Sequence, residues 1–332
     1  MSRNWLDHWD ERRARRGERA KGDAHFELRP DLAFPKSDFL GGLSYFCTRA
    51  EWAAANPSYY GPAHTGNGFV EIGDFLTFPS SVKTDVAANN LVTVKLTQSS
   101  SRARAVVVFH HWNAKRRAGL LAGYLARSGL TVAEVALPYH LERSRPGATH
   151  ADFMLSASLG RTLQSFRQAV ADGRDLIRWL QGEGYSEISV LGMSLGSWVA
   201  GLVAAHEPGV RNAALCLSAG SLADMVWTGR ATRNIRAGLE PHLDLPTLRR
   251  AWAPLDLEAF ADRLCRNSLD LQITLAKRDT VVRPELSESF IESLRAAGGD
   301  PEIRAHNCGH YSLSLPPFGP RVAYDLRRFL AS

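Results

Sequence analysis

Five residues of this 332-residue chain have the types and spacing for nucleophilic catalysis: Gly192-Met193-Ser194-Leu195-Gly196. They follow Glu187–Leu191 (EISVL), which reads as a strand, and precede Trp198–His206, which reads as a helix. A serine on so tight a strand-to-helix turn is held in a strained backbone conformation, with its Oγ projecting from the sheet edge. Glycines two residues to either side let the strand and helix backbones pass closer than a Cβ would allow. The helix starting there aims unpaired N–H groups and the positive end of its dipole at the place where acyl transfer develops negative charge. A serine hydroxyl is a poor nucleophile at neutral pH, so it needs a base brought from elsewhere in the chain. Five residues alone recur by chance and suit a simple turn; the place between strand and helix makes the motif specific. Trp198, one turn on, reads as helix packing.

The elements around the motif alternate regularly. Phe69–Phe78 and Leu91–Gln98 alternate apolar and polar residues, as a half-buried antiparallel pair does. Ala105–Phe109 (AVVVF) and Val132–Leu137 are mostly apolar and suit strands buried on both faces. Helical spacing runs through Ala118–Leu130 and Leu163–Leu180, and strands follow at Ala213–Leu217, Leu271–Leu275 and Glu302–Ala305. Helices are predicted at Pro284–Ala297 and Pro320–Leu330. This rhythm predicts an α/β fold with a mostly parallel central sheet covered by helices on both faces: two antiparallel strands in front and about six parallel ones behind. A strand-poor stretch at 221–267 reads as a helical cap inserted at the sheet end where sites form. Residues 1–68 form a basic leader and an aromatic-rich preface, in which Ser37-Asp38 would cap a short helix through the forties. The domain proper runs from 69 to 332.

With the elbow motif and this element order, the chain resembles the α/β-hydrolase superfamily, of the esterase and dienelactone-hydrolase kind, over residues 69–331. The resemblance implies the chain order nucleophile, acid, histidine. Asp279 follows the strand LQITL and precedes Val281-Val282-Arg283-Pro284, like the family's acid loop. His310 lies in Asn307-Cys308-Gly309-His310-Tyr311, where the family carries its histidine on a Gly-His pair. His310 would then take the Ser194 proton and pass it to the leaving group, with Asp279 fixing its tautomer. Asp224 is the alternative acid and His306 the rival base, the latter reading as a structural histidine at the strand end. The oxyanion hole would use the N–H of Leu195 and a second donor from Phe109-His110-His111-Trp112-Asn113. Relatives often carry glycine where His111 stands, which leaves the donor open between His111 and Trp112. The loop at 137–147 places Tyr139, His140 and Arg143 as candidate substrate contacts, Arg143 equally as a solvated charge.

Composition narrows the function classes. The chain is 45% hydrophobic and 22% charged with net charge +6, and residues 1–22 hold seven Arg/Lys against four acids. That leader could touch RNA or an anionic membrane, but no basic stripe continues downstream, and a solvated helical extension with Trp5, Leu6 and Trp9 packed on the body is expected. No stretch approaches the roughly 20 apolar residues of a membrane span, and no secretory signal opens the chain. The scattered Cys47, Cys216, Cys265 and Cys308 read as reduced thiols of a cytoplasmic protein. The paired His110-His111 lack a third ligand, so neither metal nor cofactor is expected. The leading function is hydrolysis of a small-molecule carboxylic ester through an acyl-serine intermediate, without nucleic-acid or integral-membrane partners. A peptidase or thioesterase with the same triad and a non-catalytic binding protein of the same fold are the alternatives; oligomeric state is not legible. On this reading, deleting residues 1–22 should leave kcat intact.

Overall fold

In the computed structural model, which describes residues 3–19, 22, 24–35, 41–61 and 68–332, the apolar runs lie side by side as a single sheet. Among the described residues it has nine strands: β1 (Val70–Ile72), β2 (Phe75–Pro79), β3 (Leu91–Thr97), β4 (Arg104–Phe109), β5 (Leu130–Val135), β6 (Glu187–Met193), β7 (Val210–Cys216), β8 (Asp270–Ala276) and β9 (Glu302–His306). Their spatial order is β1-β2-β3-β5-β4-β6-β7-β8-β9. The six from β5 to β9 are mutually parallel, and β1, β2 and β3 pair antiparallel in front. β4 to β7 are buried nearly throughout, because helices cover both their faces, and Val, Ile, Leu, Ala and Phe fill most of these positions.

The front of the sheet differs from expectation. The run 69–78 is a hairpin of two strands, broken at Gly73-Asp74, with Gly73 at φ 60°. Alternation alone could not show the break, because a two-residue turn keeps the period. The front therefore has three antiparallel strands instead of two.

Twelve helices are described: α1 (Arg3–Arg19), α2 (Pro30–Ala33), α3 (Leu43–Ala55), α4 (Gly119–Ala126), α5 (Leu159–Gly182), α6 (Leu195–His206), α7 (Leu222–Thr228), α8 (Arg233–Leu239), α9 (Leu245–Ala251), α10 (Ala261–Leu264), α11 (Pro284–Ala296) and α12 (Phe318–Leu330). α5 and α6 cover one face of the sheet, α6 with Trp198 fully buried and its Nε1–H given to Gly220 O at 3.0 Å. α4 and α12 cover the other face through Leu125, Val322, Leu326 and Phe329. Between β7 and β8 the short helices α7 to α10 replace the single crossover helix. The preface braces these helices: Tyr60 donates to Pro254 O at 2.7 Å, Glu51 pairs with Arg250, and Phe26 stacks on His242. The helix through the forties is α3, with Gly42 at its N-cap; the expected Ser37-Asp38 cap lies outside the described residues. Among the described residues no helix is long and apolar enough to cross a membrane.

Candidate active site

The elbow serine carries the strain that its position demands. Ser194 has φ 52° and ψ −122°, a combination that a non-glycine residue adopts only where its surroundings over-determine it. Its N–H reaches Cys216 O at 2.8 Å, and its own carbonyl accepts the Ser197 N–H at 2.7 Å and the Ser197 hydroxyl at 2.6 Å. The flanking glycines are required by close approach. A Cβ on Gly192 would lie 2.3 Å from Gly196 O, and one on Gly196 would lie 2.2 Å from Phe109 O. Strand β6, helix α6 and the loop after β4 therefore meet with no room for a methyl group.

Asp279 and His310 come from the ends of the neighbouring strands β8 and β9. Two backbone bonds tie their loops together, Lys277 N–H to His306 O at 2.8 Å and Arg278 N–H to Cys308 O at 3.0 Å. His310 Nδ1 lies 2.7 Å from Asp279 Oδ2. The other carboxylate oxygen accepts the N–H groups of Val281 at 2.7 Å and Val282 at 2.9 Å. The Asp279 side chain is 2% exposed, so one oxygen fixes the carboxylate to its loop while the other faces the imidazole. No hydrogen bond joins Ser194 Oγ to His310 among the described residues. Such contacts are often long in resting sites and tighten with substrate.

The loop after β4 closes the rim. His111 on this loop is exposed, and its pKa is lowered by desolvation and by the charges of His310 and Arg13. Among the described residues no hydrogen bond engages the N–H of His111 or of Leu195, whereas the N–H of Asn113 is already given to His140 Nε2 at 2.9 Å. Trp112 Nε1–H bonds Ala151 O at 3.1 Å, which pins the indole to the loop before α5.

The remaining candidates have other employment. His140 is 2% exposed; its Nε2 accepts the Asn113 N–H and its Nδ1 lies 2.8 Å from Pro138 O. A ring with an N–H aimed at one nitrogen and a carbonyl at the other must be neutral with its proton on Nδ1. Burial accordingly holds its pKa well below the ordinary value. His110 repeats the pattern between Leu137 N–H at 3.1 Å and His111 O at 2.9 Å, and burial pushes it down to about 4. Arg143 is wholly buried, bonded to Asn89 O and Ala136 O and paired with Asp172 at 2.9 Å. The suggestion that it meets substrate, or that it is a solvated charge, is therefore corrected: it is a core ion pair. Tyr139 is 2% exposed, with its hydroxyl 3.4 Å from an Arg161 nitrogen. Tyr139 and His140 line a cavity of about 250 Å³ with Asn113, Lys115, Ser144 and His150, which none of Ser194, Asp279 or His310 lines. Asp224 is clamped by Arg249 at 2.9 and 2.5 Å, and the imidazole of His310 bonds Asp279 instead. His306 lies edge-on to Phe318, its pKa lowered by burial. The described residues contain no group of three or more His, Cys, Asp or Glu placed to hold a metal ion.

One contributor to the site went unnoticed in the sequence. Asp10, on α1, accepts the N–H groups of Tyr311 at 2.7 Å and Ser312 at 3.0 Å, beside His310. The signal was present: Leu6, Asp7, Asp10, Glu11, Ala14 and Glu18 fall on one helical stripe, and that stripe faces the body.

Comparison with known proteins agrees with this architecture. The family described as Alpha/beta hydrolase domain containing 18 matches residues 108–235. Acetyl xylan esterase 1 from Thermoanaerobacterium sp. JW/SL YS485 superimposes with a TM-score of 0.59 at 14% identity, over 93% of this chain and 95% of that one. An acetyl xylan esterase from Paenibacillus sp. R4 gives 0.58 at 15% identity, over 90% and 98%. A puromycin-hydrolyzing peptidase of Mycobacterium tuberculosis gives 0.56 at 15% identity over 79% of this chain, which spans 46% of the peptidase's length. No curated protein matches the sequence. Likeness at these identities is likeness of fold.

Proposed function

We propose that the chain, which has the fold of the α/β hydrolases, hydrolyses a carboxylic ester through an acyl-serine intermediate, with Ser194 as nucleophile, His310 as base and Asp279 behind the histidine. The observation that carries the reading is the strained elbow, with Ser194 at φ 52° and ψ −122°, because backbone strain of this kind clusters at active sites. The hydrogen bond between His310 and Asp279 supports it.

In the proposed reaction, His310 Nε2 takes the Ser194 proton as Oγ bonds to the ester carbonyl carbon. Asp279 keeps the imidazole proton on Nδ1 and stabilises the imidazolium. The tetrahedral oxyanion is held by the N–H of Leu195 and by one from His111 or Trp112. Its collapse breaks the C–O bond, and the departing alkoxide takes the proton from Nε2. Water then attacks the acyl carbon, giving its proton to His310, which returns it to Ser194 Oγ as the acid leaves. The acetyl xylan esterases of similar fold favour an ester over an amide. The peptidase neighbour keeps amide cleavage as the second reading. Fluorophosphonate labelling with mass mapping should find the adduct on Ser194, and a panel of esters of increasing acyl length should then be turned over by the unlabelled protein. Labelling of a different residue, or none in folded protein, would end the proposal.

A further inference from the structure

The N-terminal helix packs its inner face against the loop that carries His310. All four acids of its segment face the body: Asp7 pairs with Arg278, Glu11 and Glu18 with Arg230, and Asp10 with the His310 loop. Leu6 and Ala14 are buried between them, while Arg12, Arg13, Arg15 and Arg16 are exposed. The net positive charge of the leader therefore hides an acidic inner face.

At that face Asp10 does what a helix cap does, from 302 residues away. Its Oδ1 accepts the N–H groups of Tyr311 and Ser312, which open the 3-10 turn Ser312–Ser314 and have no partner within that turn. Its Oδ2 accepts the Ser312 hydroxyl. The contact is so close that a Cβ on Gly309 would lie 2.5 Å from Asp10 Oδ2. His310 is thus anchored on both sides, by Cys308 O accepting from Arg278 before it and by Asp10 after it. The Tyr311 ring, whose backbone Asp10 holds, packs edge-on against the His310 ring with centroids 5.3 Å apart. Without Asp10 the turn keeps its internal bond from Gly309 N–H to Ser312 Oγ, so it can pivot as a unit and swing the imidazole.

We propose that Asp10 is a positioning residue for His310, so that the N-terminal helix is part of the active-site structure. The inference rests on the reading of His310 as the catalytic base. It reverses the expectation that residues 1–22 can be removed without loss of kcat.

The test compares Asp10→Ala, Asp10→Asn and Glu183→Gln in the full chain, by steady-state kinetics on a short-chain acyl ester and by NMR of the His310 Nδ1–H. Asp10→Ala should lower kcat by about 10²-fold, the scale of a ~1 Å misplacement of a reacting group, with KM little changed. Asp10→Asn should keep most of kcat, because its Oδ1 still accepts both N–H groups and its amide can donate to Ser312 Oγ. Glu183→Gln breaks an exposed ion pair with Arg102 before β6, at the end of that strand opposite the elbow, and should leave kcat unchanged. The low-field Nδ1–H resonance should persist in wild type and Asp10→Asn and broaden in Asp10→Ala; Asp10→Ser replaces that variant if it melts too low to measure. Wild-type kcat in Asp10→Ala, or an undisturbed resonance, overturns the inference. Wild-type protein that turns over no ester instead removes the proposed function, and the resonance still decides the role of Asp10.

Discussion

A single methyl group placed at the elbow tests the geometry most directly. In Gly196→Ala the new Cβ would sit 2.2 Å from Phe109 O and 2.5 Å from His110 O. Ordinary contact begins at 3.4 Å, so the start of α6 and the end of β4 must part by 3.4 − 2.2 = 1.2 Å. Both blocking atoms are backbone, and no flexible side chain can give way instead. Overpacking of this kind costs about 1–3 kcal/mol of stability. The catalytic effect is expected to be larger, because the gap to be opened separates Leu195 N–H from the proposed second oxyanion donor on the loop after β4. A misplacement of ~1 Å lowers turnover by about 10²-fold, and complete loss of one oxyanion donor by about 10²–10³-fold. Thermal melting and kcat/KM on a short acyl ester measure the two effects separately. Gly182→Ala is the control, since nothing lies within 4 Å of its Cβ position. If Gly196→Ala kept wild-type melting and wild-type kcat/KM, the close approach of strand, helix and loop would not be what holds Ser194 in place.

Asp279→Asn should lower kcat by about 10⁴-fold, the loss seen when a triad histidine is held in the wrong tautomer, with KM nearly kept. Asp224→Asn should leave kcat intact, its carboxylate being committed to Arg249; the opposite pattern in the same kinetic assay would move the acid to Asp224. Stability should fall as pH drops from about 6.5 to about 4. Burial lowers His110 and His206 from the ordinary 6.5 to about 4 in the folded protein. Over that window the unfolded chain therefore binds protons that the folded one does not, whereas above 6.5 these groups contribute no slope. Urea midpoints lower at pH 5 than at pH 7 are expected; equal midpoints would mean that the two rings are not held neutral by their surroundings.

What the sequence by itself determined is whatever a short stretch of chain can impose on itself. The Gly-x-Ser-x-Gly turn constrains five consecutive residues, and the apolar runs of β4 to β8 announce strands covered on both faces. The loops of Asp279 and His310 could be placed because element order puts them at the ends of strands running in one direction. Tertiary structure decided the polar residues whose partners lie far away. Arg143 has the same appearance in sequence whether it waves in solvent or, as here, lies fully buried against Asp172. His140 sits in a loop that reads as pocket wall, yet its ring cross-links the backbone of two loops. Asp10 looked like a minor charge in a basic leader, and only the folded chain brings it to Tyr311 and Ser312. Hydrophobic periodicity reports which face of an element is covered; a hydrogen bond across 302 residues leaves no period in either segment, because its two ends satisfy each other only once the fold has brought them together.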